Sequence, residues 1–282
     1  MTNGEAPCPE HGSASDQASS CAILLTVAYD GAGFAGFVVQ PGQRTVAGEL
    51  LRAIHALDPR VTKLRASSRT DAGVHARGQR VAFDVDRSST IPPRGWVRGL
   101  IPHLPDSIAV KAAARVPPGF EPRFEAVCKT YRYLLLRAPT PDPFWAGRVW
   151  RVPGLSSDAA LGLLSDEVSA CIGQHHFGAF RSAEDKRDNV LRTIFAASVV
   201  SLPDSPALLG LEIRGDGFLH NMVRILVGTA VDVARGQRRP GAIARAIASG
   251  DRRDAGITAP PHGLYLERVQ LRSEGTDLWP AS

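Results

Sequence analysis

SSRTDAGVHARGQRVAFDVD runs from Ser67 to Asp86 and reads in two halves. From Gln79 to Asp86, Val81, Phe83 and Val85 alternate with polar neighbours, the pattern of a half-buried strand. Val61 to Arg65, just upstream, reads as another strand. The polar half between them is therefore a loop joining two strands, a place where functional groups are commonly displayed. In that loop Asp71 is the single acid between Arg60 and Arg80, against Arg60, Lys63, Arg65, Arg69, Arg77 and Arg80. Charged loops are most often plain solvated surface. A carboxylate held among cations, however, stays ionised, which suits a nucleophile or a base rather than a general acid. Ala72-Gly73 removes bulk beside it, so another molecule can approach closely.

Working outward, Cys21 to Tyr29 is a run of β-formers and reads as a strand, followed by a turn at Asp30-Gly31. Thr45 suits the cap of a helix whose apolar positions Val46, Leu50, Ile54 and Leu57 recur at helical spacing. Val116-Pro117-Pro118-Gly119 marks a division between residues 21–116 and 117–274. Beyond it, Tyr131, Tyr133 and Leu135 alternate with Arg132, Leu134 and Leu136. Ser157 precedes a helix reaching Cys171, and Val190–Leu202, Leu208–Gly215 and Leu264–Leu271 are strand-like. Gly217 to Arg235 reads as one long helix, and Pro240 opens a shorter one that Gly250 closes. Strands and helices alternate in both halves. The expected class is α+β, a mixed architecture of two sheet-plus-helix subdomains. Residues 1–20 and 275–282 are expected to be tails, the first a small polar disordered one.

The whole chain has 282 residues, 44% of them apolar, enough for a substantial core. Lys and Arg number 33 against 28 for Asp and Glu, a net charge of +5 that admits a polyanionic partner. The four cysteines form no CxxC pair, which points to a reducing cytoplasm rather than a disulfide framework. No apolar run approaches the ~20 residues of a membrane span.

Arg224 stands inside Met222-Val223-Arg224-Ile225-Leu226-Val227, apolar almost all the way round a helix. A guanidinium there either snorkels outward or meets an anion, and Asp71 is a carboxylate without an obvious local partner. Asp71 and His75 lie four apart, but no third ligand at matching spacing completes a metal site. His175-His176 offers no cage either. Lys129-Thr130-Tyr131-Arg132-Tyr133 mixes rings with cations, as surfaces that stack bases do.

Taken in order, these strings resemble the tRNA pseudouridine synthase A (TruA) family. The resemblance is carried by Arg69-Thr70-Asp71-Ala72-Gly73-Val74-His75-Ala76, with Tyr29-Asp30-Gly31, Arg123-Phe124, Lys129 to Tyr133, Phe177 to Arg181, Arg192-Thr193-Ile194, His220 to Arg224 and Gly263-Leu264-Tyr265-Leu266. It implies the pseudouridine synthase fold with a catalytic cleft shared between the halves. It also implies isomerisation of uridine at nucleotides 38, 39 and/or 40 of the tRNA anticodon stem-loop, with no cofactor or metal, by a homodimer. Asp71 falls on the family's nucleophile, Tyr131 on its active-site Tyr, and Arg224 on the Arg that pairs with the carboxylate. Arg69 falls on the Arg that displaces the base. Thr70, His75 and Leu264 belong to the substrate-binding surroundings, Leu264 as apolar floor. Ser68, Phe37 and Glu121-Pro122 depart from the family's usual residues. Two other readings of the same residues are a non-catalytic tRNA-binding protein or RNA chaperone, which needs neither Asp71 nor Arg224, and a metal-dependent hydrolase built on Asp71, His75 and His175-His176.

Overall fold

The strand that decides the architecture is the last long one. In the computed structural model, which describes residues 21–86, 88–202 and 205–280, Leu264–Leu271 returns to the centre of a single sheet. In chain order the elements are β1 Cys21–Tyr29, α1 Val46–His55, β2 Arg65–Ala66, β3 His75–Val85, α2 Pro93–Leu100, β4 Ile108–Val116, α3 Pro122–Glu125, β5 Ala126–Leu136 and β6 Trp150–Arg151. There follow α4 Asp158–Ser169, β7 Gly173–His176, β8 Leu191–Ser201, β9 Leu208–Gly215, α5 Met222–Ala234, α6 Ala242–Ser249, β10 Leu264–Leu271 and β11 Thr276–Trp279. The sheet runs β11-β4-β1-β3-β10-β5-β9-β8-β7, with β2 attached to β3 and β6 to β5. Strands from before residue 117 lie on one side of β10, together with β11, and those from after it on the other. The α+β class expected from the sequence is what the fold displays. The expected tail at residues 1–20 lies outside the described residues.

The two faces of the sheet follow the alternation read from the sequence. Tyr131, Tyr133 and Leu135 join the main core with residues of α1, α2, α4, α5 and α6. Leu134 and Leu136 face a smaller cluster with Val149, Leu208 and Tyr265, which contains no helix residue. The helices thus cover one face. Thr45 and Ser157 cap α1 and α4, each hydroxyl accepting from a main-chain N–H three residues on, at 3.2 Å. The N-terminus of α6 is capped from elsewhere: the buried Glu167 carboxylate accepts from the N–H groups of Gly241, Ala242 and Ile243.

Four boundaries differ from the sequence reading. The strand expected over Val61–Arg65 shrinks to β2, which pairs only with Val81-Ala82, because the Val61 N–H is engaged by the Asp58 carbonyl and the Val61 carbonyl by the His55 ring. β3 begins at His75, not Gln79, because His75 and Ala76 pair with β10 and Ala76 also with Tyr29 of β1. Thr276–Trp279, expected in a tail, pairs with β4 as β11. The long helix starts at Met222 rather than Gly217, since Asn221 has φ 63°, a left-handed conformation that cannot continue a right-handed turn.

Candidate active site

The loop between β2 and β3 is held rigid by buried polar groups. Gln79, fully buried, accepts from the Ser67 hydroxyl (2.8 Å) and the Ser68 N–H (3.3 Å) and donates to the Ser68 carbonyl (2.8 Å). The Lys129 ammonium donates to the Ser67 carbonyl at 2.6 Å. The Thr70 hydroxyl is 2.6 Å from the Tyr29 hydroxyl, and the Thr70 carbonyl accepts from the Phe37 N–H at 3.0 Å. A turn from the Asp71 carbonyl to the Val74 N–H closes the far end at 3.1 Å. A satisfied buried network of this kind specifies one geometry. Gly31 is required beneath it, because a Cβ there would lie 2.1 Å from the Val74 carbonyl oxygen.

Asp71 opens into a cleft of about 1100 Å³ whose lining comes from both halves of the chain. Across it, Arg224 places Nη1 3.7 Å from Asp71 Oδ2, and His220 places Nε2 3.2 Å from Oδ1. Arg224 neither snorkels out nor stands alone: its Nε donates to the Ala259 carbonyl (2.7 Å) and its Nη1 to Asn221 Oδ1 (2.6 Å). Burial pulls the guanidinium's pKa down while the Asp71 carboxylate pulls it back. The segment carrying Ala259 reaches α5 only because residue 228 is glycine; a Cβ there would meet the Ile257 carbonyl oxygen at 1.9 Å.

The expected source of Asp71's cationic surroundings is corrected. Arg60 pairs with Asp58, Arg65 with Asp84, Arg77 with Glu267 and Arg80 with Glu274. Those four arginines have acids of their own, and the groups facing Asp71 at 3.2 and 3.7 Å come from about 150 residues downstream. Arg69 is exposed at the cleft mouth and, like Lys63, makes no ion pair among the described residues.

Tyr131 forms part of the cleft floor with Leu264. Its ring meets the edge of Phe218 at a centroid distance of 5.0 Å. Burial, aided by the nearby Asp71 charge, pushes its phenol up to about 12, so it keeps its proton at neutral pH. Lys129, two residues before on β5, is pushed down to about 8 by burial and by Arg123, Arg187 and Arg192. Glu121, a departure from the family pattern, lies on the cleft rim 4.0 Å from Arg65.

His75 is not among the groups lining the cleft. It is 2% exposed, stacked on Tyr265 at 4.6 Å. Its Nδ1 lies 3.0 Å from the Gly31 amide and 3.1 Å from Asp30 Oδ1. An amide always carries its proton, so Nδ1 accepts from Gly31 and the ring is neutral, in keeping with a pKa that burial lowers. Nε2–H then donates to the His262 carbonyl at 3.1 Å. Thr70 is likewise engaged inward, through Tyr29. The reading of the sequence passed over His220, although it stands inside the quoted His220 to Arg224 string. It also passed over Lys129 and Gln79 as supports of the loop, for their partners are distant in sequence.

Among the described residues there is no group of three or more His, Cys, Asp or Glu side chains arranged to hold a metal ion. The residue pair Asp71 and His75 points to different places, as described above.

A family model described as tRNA pseudouridine synthase matches residues 25–125 and 168–271, which include both Asp71 and Arg224. A tRNA pseudouridine synthase A of Citrifermentans bemidjiense is 39% identical over 253 residues, covering 89% of this chain and 98% of its own. The protein of that name from Geobacter sulfurreducens is 40% identical over 249 residues, covering 88% and 99%. A solved structure described as a Cbf5-Nop10-Gar1 complex aligns at 12% identity with a TM-score of 0.35, over 88% of this chain and 50% of that one, too low to bear on function. Matched through most of its length and aligned nearly end to end with such relatives, this chain belongs to the tRNA pseudouridine synthase A family, a family of isomerases.

Proposed function

We propose that this enzyme converts uridine to pseudouridine at one or more of nucleotides 38, 39 and 40 of the tRNA anticodon stem-loop, with Asp71 as covalent nucleophile. The observation that carries this reading is the partly exposed Asp71 carboxylate in a cleft of about 1100 Å³, faced by Arg224 and His220. A carboxylate attacks in its charged form, and the Arg224 guanidinium supplies opposite charge beside it.

In the proposed reaction Asp71 attacks either C6 of the uracil or C1′ of its ribose. The C1′–N1 bond breaks, the ring turns, and C5 bonds to C1′. C5 gives up its proton, N1 ends with one, and the carboxylate is released. Product and substrate are isomers, so no oxidant, reductant or co-reactant enters the balance. Arg224 offsets negative charge beside the reacting carboxylate. Tyr131 and Leu264 form the floor against which the uracil rests. Extruding the base costs a few kcal/mol, and Arg69, exposed at the mouth, fills the vacated stack. Thr70 and His75 act on the substrate through the loop they hold. The same reading makes the working form a homodimer in the cytoplasm.

Release of tritium from tRNA labelled at uridine C5 tests the proposal. The wild-type chain should release it, and Asp71→Ala should bind tRNA and release none. Turnover by Asp71→Ala would remove the nucleophile from the mechanism. Binding without release by the wild-type chain would favour the tRNA-binding or chaperone reading instead.

A further inference from the structure

Asp71 has a second side-chain neighbour whose backbone is held from two sides. The Ser182 N–H donates to the His220 carbonyl at 3.0 Å, and the His220 N–H donates to Asp185 Oδ2 at 2.9 Å. Asp185 is itself nearly buried and gripped by Arg187, whose Nε lies 2.8 Å from Oδ1. That guanidinium, with main-chain donors, holds the Asp185 carboxyl well below the usual carboxylate range. One residue on, Asn221 is locked left-handed and its side chain accepts from Arg224. A loop of the second half thus fixes the main chain of residues 220–221, and the imidazole is left facing Asp71 at 3.2 Å.

Arg224, by contrast, is committed to Ala259 and Asn221 and stays 3.7 Å from the carboxylate. It supplies charge, but a guanidinium stationed at one oxygen leaves the carboxylate free to rotate about its Cβ–Cγ bond. The geometry points to His220 as the positioning residue that orients the nucleophile, its Nε2–H engaging Asp71 Oδ1 so that the carboxylate presents a fixed face to the uridine. The inference rests on the reading of Asp71 as nucleophile. Correct orientation of a reacting group is worth large factors in rate, and a hydrogen bond to a charged group contributes about 1.5–3 kcal/mol.

The test compares His220→Gln with His220→Asn. The Gln amide nitrogen reaches close to where Nε2 stands, whereas the Asn amide ends short of Asp71. Both keep the main-chain contacts to Ser182 and Asp185. With tritium release read at saturating tRNA, His220→Gln should keep most of the wild-type kcat. His220→Asn should lose roughly 10- to 100-fold in kcat with KM and tRNA affinity nearly unchanged. Wild-type kcat in His220→Asn, or equal losses in both variants, would overturn the orienting role. Should His220→Asn melt below the assay temperature, Asp185→Ala in the otherwise wild-type chain asks the same question. It frees the His220 main chain and should lower kcat while leaving KM in place; an unchanged kcat there overturns the inference. A wild-type chain that released no tritium would instead defeat the isomerase reading, so the two failures are distinguishable.

Discussion

Asp71 and His75 stand four residues apart in one motif and occupy opposite environments. Asp71 keeps 33% of its side chain exposed and faces groups from the second half of the chain. His75 is sealed at 2%, with both ring nitrogens used and its face against Tyr265. The turn at Asp71–Val74 separates them, and pairing of His75 with Tyr265 of β10 draws the second one into the sheet. A single specific string thus holds both the proposed chemistry and the scaffold that aims it.

The sharpest way to break this contrast is Asp71→Asn. Turnover should fall by at least roughly 10⁴-fold, with little change in calorimetric melting temperature because the side chain is partly exposed. Substantial residual tritium release together with a lowered melting temperature would make Asp71 a scaffold residue like its neighbour. Arg224→Ala comes next, with turnover down about 10²- to 10³-fold. It should also lose on the order of 1–3 kcal/mol of stability, since the Ala259 carbonyl and Asn221 side chain lose their donor. Full stability in denaturant titration would show that Arg224 acts only on the carboxylate.

His75→Phe should give the reverse pattern. It keeps an aromatic ring against Tyr265 but strands the Gly31 N–H and the His262 carbonyl, at a cost of about 1–3 kcal/mol. Its kcat, measured well below the melting point, should stay near wild type. A collapse of kcat with an unchanged melting temperature would erase the distinction between the two residues.

The smallest effect concerns Lys129, whose ammonium is pushed down from 10.5 to about 8. Between those values the unfolded chain binds a proton that the folded chain does not, so this group makes stability rise with pH across that window. Wild type should therefore gain stability relative to Lys129→Met as pH goes from about 8 to about 10. A difference independent of pH would show that Lys129 titrates alike in both states.

Much of the fold was legible because it rests on local rules. Thr45 and Ser157 announce their helices by capping chemistry, and the alternation in β5 sorts Tyr133 from Leu134 onto the correct faces. Boundaries failed where a distant element intervened. β3 starts early because His75 and Ala76 pair with β10, and α5 starts late because Asn221 adopts a left-handed conformation tied to Arg224. In the candidate site, Arg224 drew notice as a charge in an apolar helix. His220 and Gln79 did not, because a histidine before a helix and a glutamine in a strand violate no local pattern.

What the sequence determined by itself was the periodicity of strands and helices, the isolation of Asp71 among cations and the buried charge at Arg224. Only the tertiary structure decided which side chains face that carboxylate. Neighbouring arginines are drawn off by Asp58, Asp84, Glu267 and Glu274, while His220 and Arg224 are brought in by the segment leading into α5. The physical reason is that Coulomb attraction depends on separation in space, and separation along the chain sets it only within a turn or a strand pair.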